Sequence, residues 1–302
     1  MTENDQRHRD KGIWILLGLF VLQFLLSFRP TNLAWDGVYY YAYARSIVFD
    51  GDLRLENDLE LAYHVTPAYD FAAAGFEDAR TPTGRVDSPF AIGTGLLWLP
   101  WLALVYGLAQ LASLFRIGPA LLTGFEWPFV WGMAAVTAVY GWVAIVVAYR
   151  LICRWIRRRA ALFAAAVLTL VTPLWYYSFQ EPFYAHAASA MTVALFVVAW
   201  WRTVETDGQR LSTALQLGAL GGLAALVRWQ NLAYLVLPSL TAFQAGFRAW
   251  QAGDRRQLRA AACSLLVILV AALVLFSPQM AVWIQFYGRP WALPQGQDFL
   301  SA

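Results

Sequence analysis

The sequence predicts an all-α integral membrane protein, a polytopic helical bundle, and three observations carry that expectation. Of its 302 residues, 60% are hydrophobic and 14% charged, with a mean hydropathy of +0.50; a soluble domain is about 45–50% apolar and about 25% charged. The apolar residues come in long runs rather than amphipathic stripes. The basic residues, with Lys11 the only lysine, cluster between those runs, which is the positive-inside pattern. The net charge of +3 therefore speaks of orientation, and no nucleic-acid partner is expected. Cys153 and Cys263 both fall near expected cytoplasmic ends, so no disulfide framework is expected, and no Cys/His spacing suits zinc.

The elements follow in order. Met1 to Lys11 is polar and basic and leads into an apolar run over 13–28 with no prompt cleavage site, an uncleaved signal anchor. Residues 29–88 form a long first outer loop. Further runs able to cross about 30 Å of hydrocarbon lie at 127–149, 160–178, 183–201, 211–227, 230–247 and 260–283. Arginine-rich connectors at Arg150–Arg159, Arg202–Arg210 and Arg248–Arg259 orient every span from 127 onward if all lie in the cytoplasm. With the N-terminus also inside, a full span at 89–115 would put Arg150–Arg159 outside. That segment is therefore read as re-entrant or interfacial, broken at Pro100 with help from Gly93 and Gly95. The whole of 1–302 reads as one transmembrane domain. The tail Leu293–Ala302, an outer loop with nothing to anchor it, suggests that further C-terminal helices follow.

On this topology Asp36, Glu181, His186, Arg228, Gln230, Asn231 and Gln279 all gather on the outer face. An arginine in mid-helix costs about 2.5–3.5 kcal/mol, so Arg228 belongs at a helix end facing water or an anion. One-sided clustering of this kind reads as a site. Asp36 opens the segment Asp36-Gly37-Val38-Tyr39-Tyr40-Tyr41, which runs on through Tyr43 to Arg45. Other roles stay open: Asp36 as a helix N-cap, Glu181-Pro182 as a helix start, Arg228 as a pin for exposed helix carbonyls, and His186 as an interface histidine. Arg45 and Arg85 are read as solvated loop residues.

These segments, with Asp50-Gly51-Asp52-Leu53, Pro82-Thr83-Gly84, Pro89-Phe90-Ala91-Ile92-Gly93, Glu181-Pro182-Phe183-Tyr184-Ala185-His186 and Val227-Arg228-Trp229-Gln230-Asn231, resemble membrane glycosyltransferases of the GT-C superfold. That group includes protein O-mannosyltransferases, the aminoarabinose transferases acting on lipid A, and oligosaccharyltransferases; the chain looks most like a bacterial branch with this loop pattern. The resemblance covers essentially the whole chain through loose motifs.

The resemblance implies a GT-C-type bundle in the bacterial cytoplasmic (inner) membrane, with a cavity on the outer side. The donor it implies is a sugar on a polyprenyl phosphate, and the acceptor a lipid, glycan or protein. Asp36 stands where the family has its catalytic aspartate, and Glu181 where a second acid assists with acceptor or a divalent metal. The chemistry asks for a carboxylate to take the acceptor proton and a cation for the leaving phosphate. Asp36 and Arg228 suit those roles; His186, Gln230 and Asn231 stand beside them, with Tyr39, Tyr40, Tyr43 and Trp35 as aromatic walls. The competing reading is a polytopic transporter or a flippase for lipid-linked glycans, which would set its polar features near the midplane and show internal repeats.

Overall fold

The structure, a computed structural model, describes residues 11–29, 33, 36–65, 80–117, 122–206 and 211–292. Among these residues the regular structure is helical, apart from one isolated bridge between Arg80 and Val86. Eleven α-helices follow in order: α1 (Lys11–Ser27), α2 (Asp36–Arg45), α3 (Glu56–Val65), α4 (Gly93–Leu114), α5 (Trp127–Ile152), α6 (Arg158–Val171), α7 (Pro173–Phe179), α8 (His186–Thr206), α9 (Leu211–Val227), α10 (Val236–Gln251) and α11 (Arg255–Tyr287). Helices α4, α5, α8 and α11 are long and apolar enough to cross a membrane, and α6 with α7, bent by 61° at the break between them, is either a fifth, broken span or a re-entrant loop. The chain is an all-α, multi-pass membrane protein.

Small residues let the helices close up. A Cβ at Gly218 or Gly222 would run into the Ile268 and Ala272 carbonyls, so α9 and α11 pack backbone to backbone. The arginine-rich ends come together: Arg154, just after α5, pairs with Glu205 at the end of α8, and Trp155 meets Trp201 edge-on at 4.7 Å. The opposite end, where α8 begins and α9 finishes, carries the candidate site.

The structure differs from expectation in five spans: α1 and α9, over the runs expected at 13–28 and 211–227, have 17 residues each and stay below the length of the candidate spans, and three others differ in how the helix is broken. The run at 160–178 is broken at Pro173, which cannot continue α6 and instead starts α7 at its first position. Thr172 caps the new helix, accepting from the Leu174 N–H at 3.3 Å. The run at 230–247 starts as a 3-10 helix, Trp229–Leu235, before α10, whose 16 residues fall short of a span. Pro100 does not break 89–115, because α4 runs through it as one helix. The Tyr140 hydroxyl donates to the Leu97 carbonyl at 2.8 Å, in the turn that Pro100 disturbs. That bond, the Trp98 Nε1–H to Thr137 Oγ1 bond at 3.0 Å and the Val105–Gly132 contact set α4 antiparallel to α5. Helix α4 thus begins level with the middle of α5 and ends beside its N-terminus.

The described part of the first loop is folded. Tyr40, Tyr41 and Tyr43 on α2 are buried in the main core, and the Tyr41 hydroxyl donates to the Gly124 carbonyl. Arg45 corrects the solvated reading: it is 6% exposed. Its guanidinium donates to Asp58 at 2.6 Å, Asp50 at 2.9 Å and the Thr123 carbonyl at 2.6 Å, between the rings of Phe49 and Phe125. A π-helical turn, Ser46–Asp50, ended by Gly51 at φ +74°, brings Asp50 back to the arginine. Asp58 sits on α3, so this one side chain fastens three segments.

Candidate functional site

Four backbone segments meet at the site. Helix α2 starts with Asp36, α8 starts with His186, α9 ends just before Arg228, and the strap Pro89–Ala91 leads into α4. Gly93 makes the meeting possible, since a Cβ there would collide with the backbone of Leu226 and Val227. The side chain of Gln279 on α11 accepts from the Ile92 N–H at 2.8 Å and holds the strap.

Arg228 leaves the helix in an extended conformation, φ −146° and ψ 115°. Asn231 braces that break: its side-chain amide donates to the Ala224 carbonyl and to Ser189 Oγ, both at 2.9 Å. The Arg228 guanidinium lies 3.0 Å from His186 Nδ1. Arginine has donors only, so Nδ1 accepts and the histidine is neutral with its proton on Nε2. The imidazole stacks on Tyr177 with centroids 3.9 Å apart, which fixes its plane.

Asp36, Tyr40, Phe90, Tyr184, His186, Arg228, Trp229 and Gln230 line a cavity of about 110 Å³. Asp36 and Arg228 share this cavity without an ion pair; Arg228 acts on the carboxylate only through space. Burial raises the Asp36 carboxyl above the usual carboxylate range, with its own backbone N–H and then Arg228 pulling the other way. Burial, then the Asp36 and Glu181 charges, pushes the Tyr184 hydroxyl up to about 12. Tyr40 is shifted the same way, by burial and then Asp36.

Of the residues singled out in the sequence, Asp36, Tyr40, His186, Arg228 and Gln230 share this cavity. Tyr39 lies outside its lining and packs on Phe90 at 5.2 Å. Glu181 is also outside it; its N–H donates to the Tyr176 carbonyl, and its charge reaches Tyr184. Asn231 supports the backbone, and Tyr43 is wholly buried. Trp35 lies outside the described residues. Phe90, Tyr184 and Trp229 were overlooked as lining, although each sits inside a segment the sequence had marked, beside a polar residue that had drawn the attention. Among the described residues no group of three or more His, Cys, Asp or Glu side chains gathers as a metal site. Comparisons with protein-family models, curated proteins and solved structures return no match.

Proposed function

We propose that the chain is a membrane glycosyltransferase of the GT-C type, moving a sugar from a polyprenyl-phosphate donor to a hydroxyl acceptor on the outer face of a bacterial inner membrane. One observation carries the reading: a carboxylate and a guanidinium face the same small cavity without neutralising each other. Two opposite charges at a helix-end cluster would ordinarily pair. Left apart, Asp36 can take a proton while Arg228 meets an anion. Burial that raises the Asp36 carboxyl makes it a stronger base than a solvated aspartate.

In the proposed reaction the acceptor oxygen attacks the anomeric carbon as Asp36 takes its proton. The bond from that carbon to the phosphate oxygen breaks, and the electron pair leaves with the phosphate. Arg228 stabilises the charge that gathers there. His186 holds the guanidinium from behind through Nδ1. Tyr40, Tyr184, Phe90 and Trp229 give the sugar aromatic and hydroxyl neighbours.

The test is transfer from a radiolabelled polyprenyl-phosphate sugar in proteoliposomes, with lipid-linked sugars and glycans of a deletion strain read by mass spectrometry. Arg228→Ala is expected to abolish transfer with normal insertion. Arg228→Lys is expected to keep part of it, because lysine retains the charge and loses the fork. Parental activity in Arg228→Ala would remove the phosphate role. Movement of an intact lipid-linked glycan without transfer would favour the flippase.

A further inference from the structure

A second cavity lies at the opposite, arginine-rich end of the bundle, between α8, α9, α10 and α11. Its volume is about 220 Å³. Water takes about 30 Å³ a molecule, so the space suits a polar headgroup rather than a whole lipid. Its lining is graded along the helices. Arg248, in the last turn of α10, stands nearest the connector end. Gln244 and Thr241 follow one and two turns further in, on the same face. Thr213 near the start of α9 and Ser264 on α11 add hydroxyls, and Leu217 and Ile268 close the deeper side.

Thr203 and Thr241 are satisfied within the helices, and four other polar groups of the lining are unspent. Arg248 forms no ion pair among the described residues, and Thr213, Gln244 and Ser264 make no side-chain hydrogen bond. Hydroxyls on α8 and α10 bond back to the preceding turn, as Thr192, Ser239 and the cavity's own Thr241 do. Ser264 does not. The acids nearby are engaged: Asp254 caps α11, and Glu205 pairs with Arg154. Arg255, Arg256 and Arg259, all exposed, add positive charge at the start of α11, the helix that lends Ala261 and Ser264 to the lining. Beside the cavity face of α10 runs an exposed apolar stripe, Phe243, Phe247 and Trp250.

We propose that this cavity holds the phosphate headgroup of an anionic membrane phospholipid from the leaflet on the arginine-rich side. Arg248 binds the phosphate, Gln244, Thr213 and Ser264 bond its oxygens and glycerol, and the exposed arginines of the Arg255–Arg259 turn add positive charge at that end. The upper acyl chain follows the apolar deep side and the aromatic stripe. Charge at the surface, hydroxyls below and apolar walls deeper match the order of groups in a lipid standing in its leaflet. The proposal is independent of the reaction assigned to the outer cavity.

The experiment is native mass spectrometry of the full chain released from nanodiscs of phosphatidylglycerol or of phosphatidylcholine, with inorganic phosphate as a third arm. One phosphatidylglycerol is expected to stay bound at activation energies that strip phosphatidylcholine, and millimolar phosphate should not displace it. Arg248→Gln, at an exposed position, should lower retention about tenfold or more, as loss of a charge-assisted contact does. Ser264→Leu, which fills the cavity and leaves every charge in place, should lower it too. Equal retention of the two lipids, or wild-type retention in Arg248→Gln, overturns the proposal. Loss in Arg248→Gln with full retention in Ser264→Leu means surface charge alone holds the lipid, and overturns the cavity. Displacement by phosphate makes the site one for a free anion.

Discussion

The two ends of α2 treat charge in opposite ways. At its C-terminus Arg45 is enclosed by two carboxylates, a carbonyl and two rings, and its side chain is nearly inaccessible. At its N-terminus, nine residues earlier, Asp36 is half-buried beside Arg228 and the two do not pair. A buried charge that only holds the fold gains by having every partner at hand. A charge kept from its partner at a cavity is costly to the fold and useful to a ligand. The contrast separates structure from function within one ten-residue helix, and it can be broken by experiment.

The largest effect is expected at the structural end. Arg45→Ala leaves Asp58 buried without its cation and should destabilise the protein by about 3–5 kcal/mol, seen as a lower melting temperature in detergent and poor yield. Arg228→Ala should leave melting nearly unchanged. If the two variants melt alike, the contrast between the ends is wrong.

Next comes Asp36→Asn. Asparagine caps a helix as well as aspartate, so expression and melting should stay parental. Transfer should fall by about 10²–10⁴-fold if the carboxylate is the base. In the parent protein the acid limb of the rate profile should lie above the usual aspartate range, because burial raises this carboxyl and the base works only when deprotonated. An Asp36→Asn protein that transfers sugar at the parental rate would leave the cap as its role.

A smaller effect tests Asp58. Burial pushes its carboxyl up to about 7, with the Arg45 bonds pulling down, and its Oδ2 is buried without a partner, where a proton would sit. Since the folded value exceeds the ordinary 3.8, the folded state holds the proton more tightly. The stability it contributes is full below about 4 and is lost as pH rises through about 7. Melting temperature should fall over that window, with a flatter slope in Asp58→Asn. Equal slopes would show that Arg45 keeps Asp58 ionised throughout.

The sequence made the membrane class legible because long apolar runs need no context, and it made Asp36, His186 and Arg228 legible because polar residues at helix ends are expensive. It did not reveal Arg45. Its partners Asp50 and Asp58 are near in sequence, but Thr123 and Phe125, in the segment leading into α5, are far, and only their packing against α2 encloses it. Gln279 was read as one of the polar residues gathered on the outer face; it lies behind the site, buried, accepting from the Ile92 N–H. The bend at Pro173 was written in the chain and overlooked because 160–178 is apolar throughout. At Pro100 the expected break is absent: α4 runs through it, with Tyr140 donating to the Leu97 carbonyl one turn before. Sidedness can be tested directly. A cysteine at position 157 should resist an impermeant reagent from outside; labelling there would mean that the unbroken α4 crosses the membrane and would overturn the placing of Arg150–Arg159 in the cytoplasm.

The smallest signal concerns one proton. If Arg228 donates to His186 Nδ1, the imidazole is neutral and carries its hydrogen on Nε2, the tautomer that free histidine also favours but with Nδ1 locked as acceptor. The chain has 3 histidines, so ¹⁵N-histidine labelling with His186→Gln as the assignment control gives a readable spectrum. The expected pattern is an unprotonated Nδ1 and a protonated Nε2, unchanged as pH is lowered past the range where a solvated histidine gains its second proton. Protonation of Nδ1 would expel the guanidinium, because both groups would then be donors. Arg228→Lys should preserve the tautomer, while Arg228→Ala should free Nδ1 to titrate without moving the melting temperature. A His186 that titrates like a solvated imidazole in the parent protein would mean Arg228 is not held from behind. The unpaired end of α2 would then face a mobile arginine rather than a positioned one.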